Sequence, residues 1–174
     1  MMIYIHELKD HLEHKQRLLD LIEEDEGNEQ SRDRQQLTKS DWGTGKKQNN
    51  CTRSIKPYMD YFLKNNHEQL FELLHKNIVH DPGGVGVNSY WYQQYHTSDF
   101  HEWHNHRNCI LACVYYLELP EGSPTTEFWM PYTDGITTID AKEGDVIVFP
   151  SFLSHRSPPN KSANRKTVIA WNCS

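Results

Sequence analysis

Gly144-Asp145-Val146-Ile147-Val148-Phe149-Pro150 reads as a turn, a short apolar strand and a proline stop, and His155 follows five residues later. A strand of this kind, delivering one histidine just past its end, belongs to a β-fold rather than a helical one. The same texture extends in both directions from Gly86 onward. Candidate strands are 87–95, 102–106, 109–119, 126–130, 135–139, 145–149, 154–156 and 166–172. Pro120-Glu121-Gly122, Asp134-Gly135, Glu143-Gly144-Asp145 and Pro158-Pro159-Asn160 supply turns between several of them. About eight short strands at this spacing predict a small β-sandwich or barrel.

Upstream the periodicity is helical. Ile5, Leu8, Leu12, Leu19 and Ile22 recur at helical intervals and predict a helix over about residues 4–25. Ile55, Met59, Phe62, Leu63, Leu70, Leu73, Leu74 and Ile78 predict a second over about 55–79, stopped by Asp81-Pro82-Gly83-Gly84. Between them residues 27–50 are polar, with Trp42 the one aromatic, and predict a long surface loop that could serve as a lid. The expected organisation is one compact domain: residues 1–86 a helical support, residues 87–174 a β-core braced by it on one outer face.

Composition bounds the function. A chain of 174 residues with 20 Phe, Tyr and Trp folds as a single domain with a real core. A formal net charge of −6 argues against a general nucleic-acid-binding surface. No run of eighteen apolar residues spans a membrane, and Met1–Lys15 lacks the apolar segment of a signal peptide. Cys51, Cys109, Cys113 and Cys173 form no CxxC pair and read as reduced thiols of a cytoplasmic protein. Cys109 and Cys113, four apart on one strand, read as core packing.

The unusual count is histidine, eleven in all, four of them within residues 96–106. His104-Asn105-His106 on a strand would aim both imidazoles to one side, as a metal pair requires, although surface histidines also fall at this spacing by chance. His155 supplies a third nitrogen from a distant part of the chain, and three such ligands leave positions open for substrate and dioxygen. Arg165 stands ten residues further on, before the strand Lys166-Thr167-Val168-Ile169-Ala170-Trp171. An arginine in a barrel mouth needs an anion, either a small dicarboxylic co-substrate or a carboxylate of the protein itself.

These residues resemble the 2-oxoglutarate- and Fe(II)-dependent oxygenase superfamily, and most closely a small branch of it found in marine bacteria and tailed phages. The matching positions are Trp91, Tyr95, Asp99, His101, His104, His106, Asn108, Leu111, Val114-Tyr115-Tyr116-Leu117, Pro120-Glu121-Gly122, Gly144-Asp145, Phe149-Pro150-Ser151, Leu153, His155, Pro159-Asn160, Arg165 and Asn172. The departures are Gln93 for Asn, Ser98 for Gly, Arg107 for Pro and Ala112-Cys113 for Ser-Gly. His106 stands where the wider superfamily has a carboxylate, and Glu102, on the same strand parity as His104, is the alternative ligand.

The resemblance implies a double-stranded β-helix, the cupin-like jelly roll, with Fe(II) held by the catalytic ligands His104, His106 and His155. It implies 2-oxoglutarate as co-substrate, its distal carboxylate on Arg165, and dioxygen as oxidant. The implied reaction releases succinate and carbon dioxide and hydroxylates an unactivated C–H bond. Tyr95 or Gln93 would hydrogen-bond the co-substrate, and Asn108 would orient a co-substrate carboxylate or cap a turn. His96 and His101 read either as groups that support the metal ligands from behind or as ordinary polar residues at the site mouth, Arg156 as a surface residue or a partner of Arg165 for an anionic substrate, and Trp103 and Trp129 as flanks of the entrance or as packing. The rival readings are a cupin-type metal protein that does not use 2-oxoglutarate and a non-catalytic phage accessory module. Against the cupin, no Glu lies between residues 107 and 117 and Arg165 would have no task. The substrate, a small molecule or a side chain, and the oligomeric state stay open, a homo-oligomer included.

Overall fold

The computed structural model describes residues 3–32, 35–42, 55–77, 84–130, 132–133 and 135–174. The elements run β1 (Tyr4–Glu7), α1 (His11–Glu23), β2 (Asn28–Arg32), β3 (Gln35–Ser40), α2 (Pro57–Asn77), β4 (Val87–Tyr95), β5 (Phe100–His104), β6 (Leu111–Glu118), β7 (Glu127–Met130), β8 (Gly135–Thr138), β9 (Asp145–Pro150), β10 (His155–Ser157) and β11 (Lys166–Cys173). The strands pair antiparallel in the order β1-β9-β6-β11-β4-β3-β5-β10-β7-β8, with β2 beside β3. The sheet curls on itself, so that β4, β6 and β11 face β5 and β10 across one cavity. This is the expected jelly roll.

Strand parity divides the core in two. Ile169 and Trp171 of β11, Tyr115 of β6 and Val146 and Val148 of β9 pack outward against Leu18 and Ile22 of α1 and Met59 and Phe62 of α2. Val168, Tyr116, Ile147 and Phe149, one residue out of phase, pack inside the curl with Phe128 and Leu153. Both faces of β9 and β11 are therefore dry, which is why Val146-Ile147-Val148-Phe149 is continuously apolar rather than alternating. Phe62 stacks on Tyr115 with centroids 5.0 Å apart, joining α2 to the sheet. Gly144 turns the chain into β9 at φ +92°, and a Cβ there would lie 3.0 Å from the His11 ring, so the turn requires glycine twice over.

Two expectations for the amino-terminal part are corrected. The predicted helix over 4–25 begins only at His11, and Tyr4–Glu7 is an edge strand on β9, registered Tyr4↔Val148 to Glu7↔Asp145. Leu8 and Leu12 share a helical interval by coincidence. Leu12 is 83% exposed, and the buried stripe of α1 is Leu18, Leu19, Leu21 and Ile22. The predicted 27–50 surface loop contains the β2–β3 hairpin, and β3 bridges the curl by bonding to both β4 and β5. Its polar sequence hid it because β3 is held by main-chain bonds, with Leu37 its one apolar side chain in the core. Residues 43–50, the rest of that segment, lie outside the described residues, as do Ile78 and the stop at Asp81–Gly83. No helix among the described residues is long and apolar enough to cross a membrane.

Candidate metal centre and active-site cavity

β5 and β10 are neighbours, and their register sets His155 opposite His104. β5 ends at His104, earlier than the predicted 102–106, so His106 leaves strand parity behind. It is held instead by its own N–H, which donates to the Ser151 carbonyl at 2.9 Å. The ring centroids lie 4.3 Å (His104–His155), 5.0 Å (His106–His155) and 5.3 Å (His104–His106) apart. One nitrogen from each ring lies within 4.8 Å of the others.

The tautomers follow from the partners. His104 Nδ1 is 2.7 Å from the Glu102 carbonyl, His155 Nδ1 is 2.9 Å from the Leu153 carbonyl, and His106 Nδ1 is 2.5 Å from Asn172 Oδ1. These oxygens only accept, so each Nδ1 carries the proton and each Nε2 keeps its lone pair. Asn172 Nδ2 in turn donates to Ser89 Oγ at 3.0 Å. Burial lowers the basicity of all three rings, His104 to about 4 and His155 to about 2, the latter also through the neighbouring His104. Three neutral imidazoles presenting Nε2 fit a transition-metal cation at neutral pH. Glu102 contributes its carbonyl to His104 rather than a carboxylate to the cavity.

Of the two readings of His101, the geometry favours support of a ligand. His101 stacks on His104 with centroids 3.9 Å apart and planes at 15°. Tyr95 O–H donates to Gln93 Oε1 at 2.9 Å, which orients the amide, and Gln93 Nε2 donates to His101 Nδ1 at 3.2 Å. His101 is thereby held with its proton on Nε2, opposite to the other three, and braces His104. Tyr95 and Gln93 line the cavity.

Arg165 does not enter the cavity, and its assignment is corrected. Its Nε and Nη2 donate to Glu118 at 2.8 and 3.2 Å, and its Nη1 bonds Glu23 of α1. The guanidinium is paired to the protein's own carboxylates and ties α1 to the sheet. The cation inside is the next residue. Lys166 is 2% exposed, and its Nζ donates to the Pro124 carbonyl at 2.8 Å and Ser157 Oγ at 2.9 Å. The ammonium also lies 5.0 Å from the Tyr95 ring centre. Among the described residues no carboxylate pairs with it, and burial lowers its pKa to about 7. An ammonium has three donors and two are used, so one is left for a ligand. Lys166, Val168 and Ala170 share the parity that lines the cavity; applied to the sequence, that parity separates Lys166 from Arg165. Asn108 is also corrected: it adopts φ +62°, its carbonyl accepts from Asn88, and it lines neither this cavity nor the one beside it. The turn reading is the one that holds. Arg156 pairs with Glu127 at 2.7 Å and covers Trp103, forming part of the cavity wall.

The fold is that of the 2-oxoglutarate/Fe(II) oxygenases. A prolyl-4-hydroxylase of Pseudomonas putida superposes with a TM-score of 0.65 at 14% identity, covering 98% of this chain and 91% of that one. The viral collagen prolyl hydroxylase of Paramecium Bursaria Chlorella virus-1, in its 2OG complex, gives 0.61 at 15% identity over 99% and 96% of the two chains. The non-heme alpha-ketoglutarate-dependent epimerase SnoN of nogalamycin biosynthesis gives 0.71 at 11% identity over 99% and 77%. At such identities the likeness is one of fold. No protein-family profile and no curated protein matches the chain.

Proposed function

We propose that this protein is a 2-oxoglutarate- and Fe(II)-dependent oxygenase that hydroxylates an unactivated C–H bond. One observation carries the reading: three imidazoles, each with a ring nitrogen within 4.8 Å of the others, share a cavity with Lys166, a buried cation that has no carboxylate partner among the described residues. The first feature fits a metal and the second fits one end of a diacid. The fold likeness to named oxygenases supports both.

His104, His106 and His155 would hold the iron. Lys166, rather than Arg165, would hold the distal carboxylate of 2-oxoglutarate, with Ser157 Oγ beside it. Iron(II) with 2-oxoglutarate and dioxygen supplies oxidative decarboxylation to succinate and carbon dioxide coupled to hydroxylation. The chain's own part is positional. Glu102, Leu153 and Asn172 fix the ring tautomers; the Tyr95–Gln93–His101 relay braces His104; Val114, Val168 and Ala170 form a dry wall that strengthens the Lys166–carboxylate attraction. A cupin that does not use 2-oxoglutarate leaves Lys166 without a task. The unpaired Cys109, Cys113 and Cys173 suit a reducing compartment such as the cytoplasm.

The test is anaerobic titration of the Fe(II)-loaded protein with 2-oxoglutarate, followed by the visible charge-transfer band. Wild type and Arg165→Ala are expected to develop the band, His155→Ala to lose it, and Lys166→Met to require at least tenfold more 2-oxoglutarate. A wild type without the band overturns the proposal. An Arg165→Ala loss with Lys166→Met unaffected returns the diacid to Arg165.

A further inference from the structure

The imidazoles open on a second side. A second cavity, of about 270 Å³, adjoins the first at the metal ligands and is not lined by Lys166. Trp91, Gln93, His101, His104 and His106 line both spaces, so the two meet at the rings. His155, Lys166 and the apolar wall belong to the inner space alone, whereas Trp42, Gln35, Asn105, Arg107 and Asn172 belong to the outer one.

The outer walls have a definite chemistry. Trp42 packs edge-on against Trp91 with centroids 4.5 Å apart, giving a continuous aromatic surface beside the rings. Gln35, Asn105 and Asn172 add amide side chains to the lining, that of Asn172 already bonded to His106 and Ser89. Arg107 stands at the exposed rim and, among the described residues, has no ion-pair partner. Although the chain has 24 acidic residues against 18 basic ones, no Asp or Glu among the described residues lines either space. A low-dielectric cleft cleared of one sign of charge and holding the other draws in ligands of opposite sign.

The volume among the described residues suits a small ligand. At about 30 Å³ per water, the space holds on the order of nine waters, below the roughly 300 Å³ at which drug-sized sites begin. It suits a free small molecule of about a dozen non-hydrogen atoms.

We propose that the outer cavity binds the substrate, a small organic carboxylate with an apolar body, the body lying on the Trp42–Trp91 wall and the carboxylate on Arg107. Resting on the oxygenase reading, this places the apolar C–H bonds of the substrate nearest the imidazoles and its charge at the rim. Arg107 is the specificity-determining residue; Lys166 takes the co-substrate in the inner space. Two cations thus sort two carboxylates, and the aromatic wall discriminates against a second molecule of co-substrate, which has no apolar ring to lay on it.

Binding is read by quenching of tryptophan fluorescence in the Mn(II)-loaded protein saturated with 2-oxoglutarate, using cyclohexanecarboxylate and its neutral counterpart cyclohexanecarboxamide as probes. The carboxylate is expected to bind at least tenfold more tightly. Arg107→Gln should bring the two probes within about twofold of each other, while the affinity for 2-oxoglutarate, titrated separately, stays unchanged. Trp42→Ala should weaken both probes together and keep their ratio. Equal binding of the two probes by wild type, a ratio that survives Arg107→Gln, or no quenching by either probe overturns the inference. Failure of 2-oxoglutarate to bind wild type overturns the oxygenase reading instead, and the probe ratio, measured without it, still decides the assignment of Arg107.

Discussion

If Lys166 holds the distal carboxylate, the affinity for 2-oxoglutarate must depend on pH in a particular way. Burial leaves the free amine with a pKa of about 7, and no carboxylate among the described residues offsets that cost. Only the charged form attracts the diacid, whose carboxylates are ionised throughout. Affinity therefore scales with the protonated fraction of Lys166: about one half at pH 7, one eleventh at pH 8 and one hundredth at pH 9. From pH 7 to 9 the dissociation constant should rise about fifty-fold, approaching 1.4 kcal/mol per unit. The imidazoles do not titrate in this window, because burial holds His101, His104 and His155 at about 3, 4 and 2. The assay is calorimetric titration of 2-oxoglutarate into Mn(II)-saturated protein, from pH 6.5 to 9, in two buffers of different ionisation enthalpy. At pH 8.5 close to one proton should be taken up per 2-oxoglutarate bound. Lys166→Met should bind weakly at every pH, with no proton uptake and no loss of fold, since methionine suits the Tyr95 and Tyr116 cradle. An affinity independent of pH above 7, or a Lys166→Met variant that still takes up a proton, refutes the reasoning.

Three further outcomes are expected. Asn172→Ala removes the acceptor that fixes His106 and should lower metal affinity about 10- to 100-fold in equilibrium dialysis, with Asn172→Asp restoring much of it. Asp41→Ala should cost about 1–3 kcal/mol in urea unfolding, because this carboxylate, 4% exposed, accepts from Tyr58 O–H and the Tyr92 N–H, both then left without an acceptor, while Lys56 keeps its pairing with Asp25. The metal-free protein should lose stability in acid. The folded-state pKa values of His101, His104 and His155 lie below the unfolded value near 6.5, so below that pH the unfolded chain binds more protons and folding weakens as pH falls towards 4. From pH 7.5 to 5.5 the loss is about 1.4 kcal/mol per ring, at most about 4 kcal/mol for the three, read as a lower urea midpoint.

The carboxy-terminal half was legible because its strands alternate or run dry between clear turns: Val87–Tyr95 and Asp145–Pro150 lie within a residue of where the pattern sets them. The three histidines were legible as a set for the same reason, each lying at or just past a strand end. β3 was not, since a strand secured by main-chain bonds at a seam leaves no apolar period to read. Trp42 went with it, and so did one wall of the outer cavity. Arg165 illustrates a different failure. Spacing alone cannot separate neighbours on a strand, whereas side-chain parity with Val168 and Ala170 selects Lys166. For His101 the sequence leaves two roles open, because stacking on a ligand is a relation set by the curl of the sheet rather than by the chain's local pattern.

The most direct measurement is a crystal structure of the protein with Mn(II) and 2-oxoglutarate, grown anaerobically, with anomalous scattering to place the metal. The expected result is one cation bound by Nε2 of His104, His106 and His155, with the distal carboxylate of the diacid on Lys166 Nζ. A cation bound elsewhere, ligation through Nδ1, or a diacid seated on Arg165 would contradict it.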